Sequence, residues 1–151
     1  MSEKDVVIEL HSEHAYDRDD GESFDFSTDG TYRYEDGVGL LSYWESEVTG
    51  LAGTHTTVEV SPGGIVVDRS GTVTSRMEFR EGVKNFFQYG TPYGMADVCM
   101  DTHRLRSSFN EHGGVAELDY VLGLEHTVAV RNRFTIKVTE QTGEERYGQF
   151  H

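Results

Sequence analysis

Alternation of apolar and polar side chains near the end of the chain is the feature that most limits its fold. From His126 to Thr139 the apolar side chains fall mainly at even positions and the polar ones at odd positions, a period of two that is typical of a strand with one buried face. Residues 115–122 alternate in the same way, and Gly123-Leu124 has the glycine-first chemistry of a two-residue hairpin turn. The sequence therefore predicts a long hairpin here. Because two strands cannot bury an apolar face alone, the rest of the chain must supply a wall opposite it.

Similar alternation recurs in the earlier part of the chain. It predicts strands over residues 5–16, 23–34, 39–45, 54–60, 65–69, 72–79 and 96–107. We interpret Gly30 as a bend within the second of these strands, with a separate turn as the alternative, and the out-of-step Leu105 predicts a bulge. From 80 to 94 the alternation is lost in an aromatic and glycine-rich stretch. We expect a loop there, with one helical turn at most.

The links between the predicted strands are short and rich in glycine, with 17 glycines in the chain against two prolines. Successive strands joined in this way pair as an antiparallel meander, which has two exposed edges unless it closes on itself. The sequence therefore predicts an all-β fold, a single antiparallel barrel of about eight to ten strands. We expect it to form one domain over residues 1–151. A two-sheet sandwich is the competing architecture.

Charge and cysteine content limit the partners and the compartment. The chain has 27 acidic and 13 basic residues, a formal net charge of -14, and a surface this negative repels phosphate backbones, so we expect no nucleic-acid partner. The one cysteine, Cys99, excludes an internal disulfide, and the first residues, MSEKDVVIEL, lack the apolar run of a signal peptide. No stretch approaches the roughly 18 apolar residues of a membrane-spanning helix. We expect a soluble, cytoplasmic chain without membrane association.

Several short motifs follow one another in a fixed order along the chain. They are Leu41-Ser42-Tyr43 with Glu45, Arg69-Ser70-Gly71, Met77-Glu78-Phe79 followed by Gly82, then Tyr89, Thr91 and Tyr93-Gly94 leading to Thr102, and finally Leu118-Asp119-Tyr120 and Ile136. In order and spacing, from Val6 to Val138, they resemble the YwiB-like family of small bacterial proteins, which is catalogued as a domain of unknown function. The resemblance implies a calycin-like barrel, similar to the lipocalins and fatty-acid-binding proteins, and it brings no activity with it.

Arg69 is the strongest candidate for a polar side chain inside the barrel. It lies in step with Ile65 and Val67 on a short predicted strand, so it is expected to project inward. An inward arginine can hold a ligand carboxylate through two parallel N–H bonds. The alternative is structural: Arg69 pairs with a buried acid such as Glu45, or stacks on Tyr43, because an unpaired buried charge is costly.

Aromatic residues form a second candidate site. Four of them are expected either to surround the mouth of a pocket or to plug one end of the barrel: Phe86, Phe87, Tyr89 and Tyr93. Trp44, the only tryptophan, is interpreted as a core residue on a face that it shares with Leu40 and Ser42.

No motif in the sequence indicates a metal, a cofactor or a catalytic centre. There is no phosphate-cradling glycine loop, no zinc-ligand spacing and no dinucleotide fingerprint, so we predict no cofactor and no metal. Asp101 and His103 point the same way on a predicted strand and form the one enzymatic alternative. No nucleophile motif accompanies them, and we assign no catalytic residue.

Together these observations predict a non-enzymatic barrel that binds an apolar or amphipathic small molecule in its lumen. The candidate ligand-binding residues are Arg69, Tyr43, Glu45, Tyr89 and Tyr93. The alternative is a structural or protein-interaction module whose barrel is filled and whose acidic surface docks a partner.

Overall fold

Antiparallel strands lie side by side in one sheet, which curls into a nearly closed barrel. The computed structural model describes residues 3–15, 21–49, 51–124 and 129–141. In that part of the chain there are ten strands: β1 (Lys4–Ala15), β2 (Glu22–Glu35), β3 (Val38–Trp44), β4 (Thr54–Ser61), β5 (Gly64–Gly71), β6 (Ser75–Phe79), β7 (Lys84–Thr91), β8 (Gly94–Asn110), β9 (Gly113–Leu124) and β10 (Val130–Glu140). A short 3₁₀ helix, Glu47–Thr49, lies between β3 and β4. No helix in the described ranges is both long enough and apolar enough to cross a membrane.

The order of the strands around the barrel is β6-β5-β4-β3-β2-β1-β10-β9-β8-β7. The first and last strands are therefore neighbours, and their ladder runs from Val6 opposite Glu140 to Ala15 opposite Arg131. The predicted all-β antiparallel barrel is confirmed. The sandwich alternative is wrong, because all ten described strands belong to one sheet. The finer likeness to lipocalins stays a prediction.

The weakest junction in the ring lies between β6 and β7, and we call it the seam. The backbone bonds across it join Thr74 and Gly90, whose N–H groups each donate to the other residue's oxygen at 3.0 and 2.8 Å. Nearer the connection between β6 and β7, the side-chain amide of Asn85 donates to the backbone oxygen of Glu78 at 2.7 Å. The described residues have no continuous β6–β7 ladder, so the ring is held together here by a few bonds.

One end of the barrel, which we call the closed end, has the turns at 36–37, 62–63, 80–83 and 111–112. Tyr32 is fully buried near this end, where its hydroxyl donates to the backbone oxygen of Asn110 at 2.6 Å and its ring lies 6.0 Å from that of Phe109. The other side chains buried as completely are mainly apolar and include Val6, Ile8, Leu41, Ile65, Met100 and Ile136. Burying each such apolar side chain contributes roughly 1.5–3 kcal/mol to the stability of the fold. The hydrophobic core therefore occupies the closed half of the barrel.

Trp44 is not a core residue, contrary to the sequence-based interpretation. Its side chain is 66% exposed, and its ring packs against His55 on the outer wall with the ring centres 4.8 Å apart. On β3 the buried face is formed by Leu41 and Tyr43. The prediction assigned the wrong parity to this strand, and a shift of one residue moves every side chain to the other face.

Two connections between strands differ from those predicted from the sequence. The stretch expected to be a loop contains β7, which pairs with β8 from Lys84 opposite Asp101 to Thr91 opposite Gly94. Gly123-Leu124 is not a turn, because β9 continues through it and Leu122 pairs with Val130.

Other local predictions have the following outcomes. The bulge expected near Leu105 is present as a register shift between Thr102 and Arg104. Gly30 lies within β2, which is one long strand as interpreted. The strand predicted from 72 begins at Ser75, and the predictions for residues 16 and 126–128 lie outside the described residues.

Candidate functional site

A pocket of about 390 Å³ occupies the half of the lumen away from the closed end. Seven strands supply its lining, since alternate residues of each strand face inward. The apolar lining residues are Met77, Phe87, Val98, Leu122 and Val130, and the polar or amphipathic ones are His14, Arg69, Tyr89, Tyr120 and Asn132. Because these residues lie near the ends of their strands opposite the turns of the closed end, we call this end the open end.

Arg69 is one of the two basic residues in the described lining of this pocket. Its side chain is 21% exposed, and its Nε lies 3.7 Å from Glu45 Oε2, which is within ion-pair range but too long for a hydrogen bond. Nη1 donates to the sulfur of Met77 at 3.7 Å, and sulfur is a weak acceptor. The guanidinium therefore has a charge partner while Nε, which is buried, has no hydrogen-bond partner.

Glu45 lies behind Arg69, directly after β3, and its side chain is 2% exposed. Thr56 Oγ1 donates to Glu45 Oε2 at 2.5 Å, and the backbone N–H of Glu45 donates to Thr54 O at 2.9 Å. Next to it, burial raises the pKa of the Tyr43 phenol well above its usual range, and the nearby charge of Glu45 raises it further. The two expected partners of Arg69 thus lie on the inner wall behind it.

Tyr120 is a second polar group of the pocket wall. Its ring packs edge to face on Phe79 with the centres 4.8 Å apart. Burial raises the pKa of its phenol to about 12, and the positive charge of Arg69 opposes that rise. The phenol is therefore protonated at neutral pH and is able to donate a hydrogen bond.

His14 and Asn132 lie next to each other in the pocket lining. Asn132 is buried, its Oδ1 contacts His14 Nδ1, and its Nδ2 donates to the backbone oxygen of Val130 at 3.1 Å. Because the amide oxygen can only accept, His14 donates through Nδ1. These two side chains largely satisfy each other.

Comparisons with known proteins identify the family. A family model described as a domain of unknown function, DUF1934, matches residues 8–136. The chain belongs to the DUF1934 family. This confirms the YwiB-like resemblance seen in the sequence.

Two comparisons connect this DUF1934 chain to a protein of Bacillus subtilis. The chain is 29% identical over 119 residues to the uncharacterized beta-barrel protein YwiB of strain 168, covering 78% of this chain and 82% of that relative. It also matches the crystal structure of the ywiB protein with a TM-score of 0.82 and 25% sequence identity, over 93% of this chain and 94% of that one. A barrel is therefore the fold of a solved relative as well as of this chain.

The five predicted ligand-binding residues of the DUF1934 chain lie in three environments. Arg69 and Tyr89 line the pocket, whereas Tyr43 and Glu45 are buried behind it. Tyr93 lies in the turn between β7 and β8 with its side chain 99% exposed, and it is not part of the pocket lining. Its role in binding stays a prediction that the pocket geometry does not support.

Sequence reasoning did not select Tyr120, His14 or Asn132 for the site. Their inward parity was visible in the alternation, but their height along the barrel axis depends on strand register. Asp101 and His103, the enzymatic alternative, lie on the outer wall at the β8 bulge, with Nε2 of the imidazole 3.9 Å from Oδ2 of the carboxylate. They are not part of the pocket lining.

Proposed function

We propose that this DUF1934 chain is a cytoplasmic binding barrel that takes an amphipathic small molecule into the pocket at its open end. The polar end of the ligand lies against Arg69 and Tyr120, and its apolar part lies along Phe87, Val98 and Leu122. The observation that carries the proposal is the pocket itself, a space of about 390 Å³ in the lumen with mainly apolar walls and a small number of polar groups.

The size and chemistry of the pocket support a small-molecule ligand. Sites for small molecules have volumes of about 300–1,000 Å³ and combine apolar walls with a few polar groups that orient the ligand. The pocket also supports this function over the alternative of a protein-interaction module, since that alternative requires a filled barrel. The single cysteine, Cys99, is unpaired, in keeping with a reducing compartment.

Unpartnered buried polar atoms on Arg69, which lines the pocket, and on two cross-strand neighbours of lining residues give further support. Within the described ranges, three buried side-chain atoms have no hydrogen-bond partner: Arg69 Nε, Ser75 Oγ and Thr102 Oγ1. Ser75 is the direct cross-strand neighbour of Arg69, and Thr102 is that of Tyr120. Buried polar atoms in folded proteins almost always bond to protein, water or ligand. The buried Nε is out of reach of a ligand, but the Arg69 side chain is 21% exposed, so a ligand with a polar end would bond to the accessible part of the guanidinium.

Titration with Nile red, a neutral apolar dye whose emission rises in apolar surroundings, tests the proposal. We expect saturable binding to the wild-type chain and binding weakened at least about tenfold in Val130→Trp, which places an indole in the pocket. Thr139→Trp is the matched control, because it adds the same side chain to an exposed position of the same strand. Thermal melts followed by circular dichroism check that both variants fold.

The proposal fails if Nile red does not bind, or if Val130→Trp and Thr139→Trp bind it equally well. Native mass spectrometry of the chain purified from its own cells adds a second readout. A retained mass of a few hundred daltons that is lost from Val130→Trp is the expected result.

A further inference from the structure

We infer that the ligand of this pocket is electrically neutral, with a hydrogen-bond-accepting oxygen at its polar end, and that Glu45 is the residue that disfavours a carboxylate. This inference rests on the proposed binding function and names the class of molecule that the site selects. It differs from the simplest expectation for an inward arginine, which is the capture of an anion.

The first step is that the charge of Arg69 already has a partner. Glu45 Oε2 is 3.7 Å from Nε, and the Glu45 side chain is 2% exposed, so solvent does little to screen this pair. Thr56 Oγ1 donates to the same oxygen at 2.5 Å, which fixes the carboxylate in place. A ligand carboxylate on Arg69 would therefore approach a second, immobile carboxylate, and like charges at such a site disfavour each other.

The second step is that the pocket has no other strong cation to offset this repulsion. Among the described residues that line it, Arg69 and His14 are the only basic side chains. The Nδ1 of His14 is already bonded to the side chain of Asn132. The formal net charge of -14 for the whole chain further opposes the entry of an anion.

The third step is that hydrogen-bond donors remain although the charge is balanced. The Arg69 side chain is 21% exposed, and its Nη1 donates only to the sulfur of Met77, a weak acceptor. Tyr120 adds a phenol in the same wall. A carbonyl, amide or hydroxyl oxygen satisfies such donors without adding a charge. The site is therefore complementary to a neutral acceptor attached to an apolar chain.

The test compares decanoic acid with decanamide, which have the same chain and differ in the charge of the polar end. Each compound displaces Nile red at neutral pH and low salt, and the readout is the ratio of the two dissociation constants. We expect decanamide to bind the wild-type chain more tightly. In Glu45→Gln, which removes the competing carboxylate, we expect the ratio to shift at least about tenfold in favour of the acid.

Glu47→Gln is the matched control. It removes one negative charge from an exposed residue in the same connection between β3 and β4, so it changes the net charge of the chain by the same amount as Glu45→Gln. Because the ratio is compared between variants, the different affinities of the two compounds for water cancel. We expect Glu47→Gln to leave the ratio within about threefold of wild type, as is typical for an exposed charge.

Each outcome has a defined meaning. If the wild-type chain binds decanoic acid as tightly as decanamide, the ligand class is wrong while the binding function stands. If Glu45→Gln and Glu47→Gln shift the ratio equally, Glu45 is not the selective residue. If Nile red binds but neither compound displaces it, a decyl amphipath is not the ligand and the inference fails. If Nile red does not bind, the proposed function fails as well. If Glu45→Gln does not fold, the wild-type comparison still refutes the inference when decanoic acid binds as tightly as decanamide.

Discussion

Replacing Arg69 with methionine is expected to leave the carboxylate of Glu45 inside the barrel without its cationic partner. Two unit charges at the observed 3.7 Å attract each other by about 4.5 kcal/mol at an effective dielectric constant of about 20. Removing one partner of a fully buried pair costs about 3–5 kcal/mol. Since Arg69 is partly exposed and makes no hydrogen bond to Glu45, we expect Arg69→Met to lower the free energy of unfolding by about 2–3 kcal/mol.

A double-mutant cycle separates this attraction from other effects of the substitution. Glu45→Gln is combined with Arg69→Met, and the four proteins are unfolded in urea and followed by far-ultraviolet circular dichroism. We expect a coupling energy of about 2 kcal/mol, because the double variant no longer buries a single uncompensated charge.

The neighbouring pair of Asp68 and Arg76 is the matched control. It joins β5 to β6, and its closest N–O distance is 2.8 Å, but its side chains are 45% and 58% exposed. Exposed pairs contribute up to about 1 kcal/mol despite short distances. The reasoning is refuted if the Asp68–Arg76 cycle gives a coupling energy as large as the Glu45–Arg69 cycle, because burial would then not decide the strength of the interaction.

Two further predictions concern packing and pH. A Cβ at Gly30 would lie 2.5 Å from Ile8 Cδ1 and 2.6 Å from the backbone oxygen of Ser42, so Gly30→Ala should lower the free energy of unfolding by about 1–3 kcal/mol. Gly123→Ala, with nothing within 4 Å of the added Cβ, should change it by less than about 1 kcal/mol in urea unfolding; equal losses at both sites would contradict the packing argument. The pKa of Tyr120 is raised to about 12 in the folded chain, whereas the pKa of a tyrosine in an unfolded chain is about 10. Stability should therefore fall as the pH rises from about 10 towards 12, and thermal melts across this range should show a smaller fall for Tyr120→Phe.

Alternation of side chains was sufficient to predict the class of fold. On β1 and β10 one face is apolar and the other polar, so both the strands and their buried faces could be assigned from the sequence. The closure of the ring followed from the number of strands, since an open meander of this length would expose two edges. These are local patterns, and the sequence carries them directly.

Prediction failed where adjacent residues have similar hydrophobicity. Leu40 and Leu41 are both apolar, so the parity of β3 was ambiguous, and the wrong choice placed Trp44 in the core. Phe86 and Phe87 hid the alternation of β7 in the same way, although Phe86 is exposed and Phe87 lines the pocket. In both strands the assignment depends on which face meets the opposite wall, a contact between residues far apart in sequence.

The site could be predicted only in part, because some of its residues are positioned by their own strand and others by strand register. Arg69 could be placed inside because its strand is short and its neighbours are clearly apolar. The pairing of Arg69 with Glu45 was one of the alternatives considered, and the 3.7 Å distance is in keeping with it. The position of Tyr120 on the pocket wall depends on the β8–β9 register and on the bulge that changes it. A single sequence does not specify that register quantitatively.

The weakly bonded seam between β6 and β7 forms one side of the pocket. Met77 on one side of it and Phe87 on the other both line the pocket, so any widening of the seam enlarges the lumen directly. The two backbone bonds between Thr74 and Gly90 together stabilise the closed ring by roughly 1–3 kcal/mol. Opening of the seam therefore breaks fewer backbone bonds than opening of any other junction in the described part of the ring. Under the proposed binding function, such an opening would admit or release a ligand while the other ladders remain intact.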